Sequence, residues 1–279
     1  MVLTGVLYFA WTHRIRPDDA QRPLFQGVLY AREVEDTPWP TIAHVVTVDL
    51  ASPGIDFLVT PGDPVKDLPL IGRTTSAFLA EFKVQIAING DFFDPWWSSS
   101  PWDYYPRPGD PVSVDGEAAS GGVVYSRKHR NPRPRTLYLS HDRKAAFDTP
   151  PGEPFDAISG ITLLEGGAPR VADTAFARNR HPRSAVALDR ARRKLLLVAV
   201  DGRQPSYSEG MGLSDLVALI QRHGGHDAAL FDGGGSTALV IAGKDRTPEV
   251  LNMPIHTRIP GRERPVANHL GIFAAPLGQ

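Results

Sequence analysis

An apolar run ending in Asp232-Gly233-Gly234-Gly235-Ser236-Thr237 sets a carboxylate and two hydroxyls beside backbone amides that no side chain shields. Asp232 is therefore the first candidate catalytic carboxylate. Aspartate can also cap such a turn by accepting its amides, but three successive glycines are more than a tight turn needs. Asp201-Gly202-Arg203-Gln204 has the same form after another apolar run, and the planar fork of Arg203 suits phosphate oxygens in a way lysine cannot reproduce. Arg180-His181-Pro182-Arg183-Ser184 offers a second guanidinium, Arg183, just ahead of a strand. Asn89-Gly90-Asp91-Phe92-Phe93 adds an amide, a third carboxylate and two aromatics able to wall a pocket. Four strand-end turns carrying acid, amide and guanidinium groups are expected to converge on one cleft.

Other chemistries lack their signatures. The chain has no Gly-x-x-x-x-Gly-Lys-Ser/Thr phosphate loop, no dinucleotide fingerprint, no Gly-x-Ser-x-Gly elbow and no His-Glu-x-x-His helix. Zero cysteines remove disulfides, thiolate nucleophiles and thiolate metal sites. The histidines are scattered and read as exposed or hydrogen-bonded; His181, beside Arg183, is the exception to watch. A formal net charge of -1 provides no general field for nucleic acid or an anionic membrane, so a phosphate must be caught by local arginines.

Taken in order, Ile88-Asn89-Gly90-Asp91-Phe92-Phe93, Pro182-Arg183-Ser184-Ala185, Val200-Asp201-Gly202-Arg203-Gln204, Asp232 to Thr237 and Arg264-Pro265-Val266-Ala267-Asn268 resemble the phosphodiester glycosidase domain family. The Asp201 and Asp232 turns, separated by an amphipathic helix, are the most specific part. Asp91 departs from the family's frequent small residue, and Ser184 from its more usual threonine. The resemblance implies hydrolysis of a sugar-1-phosphodiester between the anomeric carbon and its oxygen, releasing sugar and a phosphomonoester. It also implies a glycan or cell-wall substrate, work outside the cytoplasm, and a mixed α/β (α+β) fold of curved sheets.

On this reading Arg183 and Arg203 hold the phosphodiester and stabilise the departing phosphate, which reduces the need for a strong general acid. One of Asp232, Asp201 and Asp91, in that order of preference, attacks C1 or activates water. A pair of carboxyls about 5 Å apart would retain configuration and a pair roughly 6.5 to 9.5 Å apart would invert it. Asn89, Ser236, Thr237, Asn268 and the Gly233-Gly234 backbone are expected to bind sugar hydroxyls or phosphate oxygens. Trp96, Trp97 and Trp102 either stack on the sugar or pack their loop onto the core. No cofactor is required by this scheme. The same carboxylates, with Asp91 as an added ligand, could instead hold a divalent cation for P–O cleavage, or the cluster could only bind phosphorylated glycans. The metal ligands and the oligomeric state stay open.

The elements that must position these groups are short. With 26 prolines and 26 glycines among 279 residues, the pattern suggests many strands and turns with few helices. Residues 41–50, 84–88, 184–188, 194–200 and 228–231 read as strands, the middle pair as a hairpin. Residues 76–82 read as a short helix. Leu213, Leu216, Val217 and Ile220 recur at helical spacing, with Ser214 as the expected N-cap and Gly224-Gly225 as the stop. A helix, a strand and a glycine turn thus occur twice, which suggests two similar halves. Residues 94–110, rich in Trp and Tyr, read as a structured loop, and 128–135 as a solvated connector. Residues 27–279 form the expected domain. Within the preceding 1–26, the apolar run 2–11 is about half a membrane span and reads either as the remnant of an export or anchor segment or as a packed element.

Overall fold

The computed structural model describes residues 14–150 and 155–278. The apolar run 2–11 lies outside the described residues.

Strands dominate, arranged as curved sheets with few helices, a mixed α/β fold as expected. The largest sheet has 12 strands; its main path runs Ala20–Phe25, Val28–Glu35, Thr41–Asp49, Lys194–Val200, Arg183–Asp189, Gly225–Phe231, Asp156–Glu165, Glu117–Ser120, Val123–Arg127. A five-stranded sheet runs Pro248–Val250, Leu239–Ala242, Ile86–Asn89, His269–Phe273, Asp56–Val59. The ladders in both sheets are antiparallel.

Alternation along the central strands assigns each face. Val186, Leu188, Leu195, Leu197, Ala229 and Phe231 point from the large sheet toward Ile86, Ile88, Leu239, Ile241, Leu270 and Ile272 of the smaller one, forming the main core. Their neighbours Ala185, Ala187, Leu196, Val198 and Leu230 face the other way and are covered by helix α3, Leu213–Arg222, through Leu216, Leu219 and Ile220. On the far side of the smaller sheet, Phe78 and Leu79 of helix α1, Thr75–Phe82, cover Ala87 and Val240. Burial on both faces is why these strands read as unbroken apolar runs rather than as alternating ones. A third helix, α2, spans only Ala175–Arg178.

Two local expectations are corrected. Helix α3 begins one residue before Ser214: Gly212 is its N-cap and makes no side-chain hydrogen bond. The stretch 128–135 is not merely a solvated connector, because Asn131 and Arg135 are buried; Asn131 donates to Asp91, and Arg135 pairs with Asp227 at 2.7 Å. Both helix–strand–glycine-turn units exist, but their strands belong to different sheets. At the glycine turns the two units meet end to end.

Candidate active site

In the large sheet, Arg183 faces Val200 and Ser184 faces Phe231, so the start of one strand and the ends of two others lie at one pole. The smaller sheet delivers Asn89 to the same pole. Its side-chain amide donates to the Asp232 carbonyl at 2.6 Å, and its Oδ1 accepts from the Ser184 hydroxyl at 2.7 Å and the Ala238 amide at 3.2 Å. The Asp232 amide donates in return to the Gly90 carbonyl at 2.9 Å. Asn89 therefore joins the two sheets beneath the site.

Asp232, Gly233, Gly234, Arg183 and Arg203 line one cavity of about 240 Å³, together with Arg264, His181, Gly235, Phe92, Trp96 and Phe176. The glycines accommodate guanidinium groups. A Cβ on Gly234 would lie 2.8 Å from an Arg203 terminal nitrogen, and one on Gly235 would lie 2.7 Å from an Arg264 terminal nitrogen. Gly233 is required by the chain itself, since a Cβ there would meet the Pro182 carbonyl at 2.7 Å. The Asp-Gly-Gly-Gly turn is thus a flat surface on which two arginine forks rest beside the carboxylate.

Each fork is hydrogen-bonded to a histidine. Arg203 Nε donates to His181 Nδ1 at 3.4 Å, and Arg264 Nε donates to His256 Nδ1 at 3.2 Å. Burial, reinforced by the Arg203 and Arg183 charges, pushes His181 down to about 4. Burial and the Arg264 and Arg262 charges push His256 down to about 3. Both rings are therefore neutral at physiological pH and orient the arginines without consuming their charge. Ser236 donates to Asp232 Oδ2 and accepts from Arg264 at 3.3 Å, connecting acid to base. Burial raises the Asp232 carboxyl above the ordinary carboxylate range; Arg264, the Ser236 hydroxyl, the Gly233 amide and Arg203 act against that rise.

Arg183 is buried and spends its donors on backbone: Nε on the Met211 carbonyl at 3.1 Å, one terminal nitrogen on the Phe176 and Asn179 carbonyls at 2.7 and 2.8 Å. Its charge, which burial leaves with a pKa of about 10, still faces the cavity. Among the described residues, none of Arg183, Arg203 and Arg264 belongs to an ion pair with a carboxylate. Among the described lining residues, one carboxylate against three guanidinium groups leaves an excess of positive charge in the cavity.

The other expected site residues lie behind this wall. Asp201 is fully buried, its Oδ1 accepting from the Met253 amide at 2.6 Å and from Asn252 at 3.2 Å, its Oδ2 3.2 Å from His44 Nε2. Asp91 accepts from the Phe92 amide, the Asn131 side chain and the Gly116 amide at 2.7 to 2.8 Å, and burial pushes it up to about 8. Asn268 Oδ1 accepts from the Asp91 amide at 2.9 Å, and Thr237 is buried with its carbonyl accepting from Asn252 at 3.2 Å. The chain therefore brings Asp232, Arg183, Arg203, Gly233 and Gly234 to the cavity wall, sets Ser236 directly behind, and places Asn89, Asp91, Asp201, Thr237 and Asn268 in the frame. Trp96 reaches the cavity, where the Arg264 guanidinium lies 5.0 Å over its ring; Trp97 and Trp102 are not among the lining residues.

Arg264 and His256 received no site role from sequence reasoning, although Arg264 opens one of the quoted motifs. The available signal was an arginine two residues after another in Arg262-Glu263-Arg264-Pro265, which says nothing about contact with Asp232. For metal binding, among the described residues no three His, Cys, Asp or Glu side chains converge as a ligand group. Among the described residues no helix is long and apolar enough to cross a membrane.

A model of the family described as phosphodiester glycosidase matches residues 82–273, which contain every lining residue. No curated protein matches. Among solved structures, the catalytic domain of zebrafish N-acetylglucosamine-1-phosphodiester alpha-N-acetylglucosaminidase, auto-inhibited by its pro-peptide, aligns with a TM-score of 0.60 at 20% identity, covering 94% of this chain and 85% of that one. A hypothetical protein from Synechocystis aligns with a TM-score of 0.60 at 16% identity over 92% of this chain, which spans only 64% of that one. A Burkholderia pseudomallei protein described as exported aligns with a TM-score of 0.57 at 17% identity over 84% of this chain and 74% of its own. At these identities the likeness establishes the fold.

Proposed function

This chain belongs to the phosphodiester glycosidase family, and from that premise we propose that it hydrolyses a sugar-1-phosphodiester at the anomeric C–O bond, with Asp232 as the attacking or water-activating carboxylate. The observation that carries this reading is the placement of Asp232 between the histidine-bonded guanidinium groups of Arg203 and Arg264, in a cavity with an excess of positive charge.

The phosphodiester carries one negative charge, and the phosphate gains a second as the C1–O bond breaks. Fixed guanidinium groups favour that gain, so the transition state is bound more tightly than the ground state. The electrons of the broken bond go to the phosphate oxygen. Asp232 either bonds to C1 and is later displaced by water, or takes the proton of the water that attacks C1. The anomer released first distinguishes these routes, retention for the former and inversion for the latter. Phe92, Trp96 and Phe176 supply apolar walls for the sugar. Asp91, Asp201, Asn89 and Asn268 act as positioning residues that fix the turns.

By analogy with the zebrafish enzyme, N-acetylglucosamine is the first sugar to test, in a glycan or cell-wall diester met outside the cytoplasm. The Burkholderia protein described as exported supports that location. Hydrolysis in oxygen-18 water tests the bond assignment. Label in the released sugar is the expected result; label in the phosphate would instead establish P–O cleavage and reject the proposal.

A further inference from the structure

His181 and Arg203 line both the Asp232 cavity and a second, larger one of about 710 Å³, so the two adjoin at these side chains. The inner part holds Asp232 and the aromatic walls. Once the sugar occupies it and the phosphate rests on Arg203, the substituent beyond the phosphate has the outer part to enter. Among the described residues, the outer wall contains Arg178, Arg180, Arg203 and Arg258 but only one carboxylate, Glu209. Arg178 is paired with Asp173, and Arg180 with Glu209 at 2.8 Å. Arg258 is exposed and, among the described residues, takes part in no ion pair. It lies near enough to Arg203 for their charges to repel.

The placement of Arg258 is tied to the catalytic wall. It ends the turn His256–Arg258, whose first residue holds Arg264 and whose next two adopt left-handed backbone, φ 52° at Thr257 and 63° at Arg258. A non-glycine residue in that region costs about 1 kcal/mol or more. The turn thus holds Arg264 at the inner cavity through His256 and places Arg258 at the outer one.

Resting on the glycosidase reading above, we infer that the outer cavity is a leaving-group subsite with Arg258 as its anion ligand, so that the preferred substrate carries a further negative charge beyond the scissile phosphate, as an anionic phosphoglycan would.

The test compares N-acetylglucosamine-1-phosphodiesters that differ only at the far end of a three-carbon leaving chain: hydroxyl, carboxylate or phosphate. In low salt the native protein should show kcat/KM on the order of tenfold higher for an anionic end, a preference that fades with added salt. Phosphate exceeding carboxylate would identify the second anion as phosphate, and equal preference would identify it as any anion; both support the subsite. Arg258→Gln should bring the ratio close to one with an unchanged melting temperature, and Arg258→Lys should retain part of it. Equal turnover of all three by the native protein, or a ratio that survives Arg258→Gln, overturns the inference while leaving the glycosidase reading intact. Oxygen-18 appearing in phosphate rather than sugar removes both.

Discussion

Gly235→Ala isolates the arrangement on which the proposed chemistry depends. Gly235 has no left-handed φ, so alanine suits its backbone, but its new Cβ would lie 2.7 Å from an Arg264 terminal nitrogen and 2.9 Å from the guanidinium carbon. Ordinary contact begins near 3.5 Å, so the fork must retreat by roughly 0.8 Å. That movement lengthens the 3.2 Å bond to His256 and the 3.3 Å bond to Ser236 and withdraws a donor from the developing phosphate charge. Displacement on this scale, or loss of one preorganised donor, costs on the order of 10²-fold in rate, about 2.7 kcal/mol of transition-state stabilisation. The fold should tolerate the change, because Gly→Ala at a compatible φ reduces the freedom of the unfolded chain. Steady-state kinetics on an N-acetylglucosamine-1-phosphodiester, beside thermal melts, should show kcat/KM reduced 30- to 100-fold with melting temperature held within a few degrees. A kcat/KM within threefold of the native value would refute the assignment of Arg264 as a phosphate ligand resting on this turn.

Asp232→Asn should lower kcat by at least about 10³-fold while sugar-1-phosphate binding, followed by calorimetry, holds or tightens, since a negative charge leaves an anion site. Turnover within tenfold of native would place the chemistry elsewhere. Asp201→Ala should act through stability, removing acceptors from the Met253 amide, Asn252 and His44 in a buried setting; a loss of about 3 kcal/mol in denaturant titration is expected, and lost turnover with unaltered stability would contradict a framing role. Burial raises Asp91 from the ordinary carboxylate value to about 8, so the folded protein holds that proton more tightly than the unfolded chain does. Its contribution is complete at low pH and is lost as pH rises from roughly 4 to 8. The melting temperature of Asp91→Asn relative to native should therefore climb across that window, and a constant difference would show that Asp91 titrates normally.

Much of the scaffold was legible because its strands are buried on both faces, which concentrates apolar residues into runs such as Leu195 to Val200. Helix α3 declared itself through Leu213, Leu216, Val217 and Ile220, although its N-cap did not, since Gly212 caps it without a side chain. Asp232 and Arg203 stood out because glycine turns beside charged residues are conspicuous. Asp201 and Asp91 ranked behind Asp232 on the same grounds, yet their oxygens are occupied by backbone amides and by neighbouring side chains. A motif records that a carboxylate ends a strand; it does not record whether that carboxylate faces solvent or the frame.

Residue type and spacing alone determined that the chain would form short strands ending in polar turns, because apolar periodicity and glycine act over a few neighbouring positions. The tertiary structure decided which of those turns share a wall. It set Arg264, 32 positions beyond Asp232, against Gly235, and gave each of the two arginine forks its own neutral histidine. The physical reason is that guanidinium stacking and carboxylate burial depend on distances through space, fixed only when the two sheets pack and Asn89 ties their ends together.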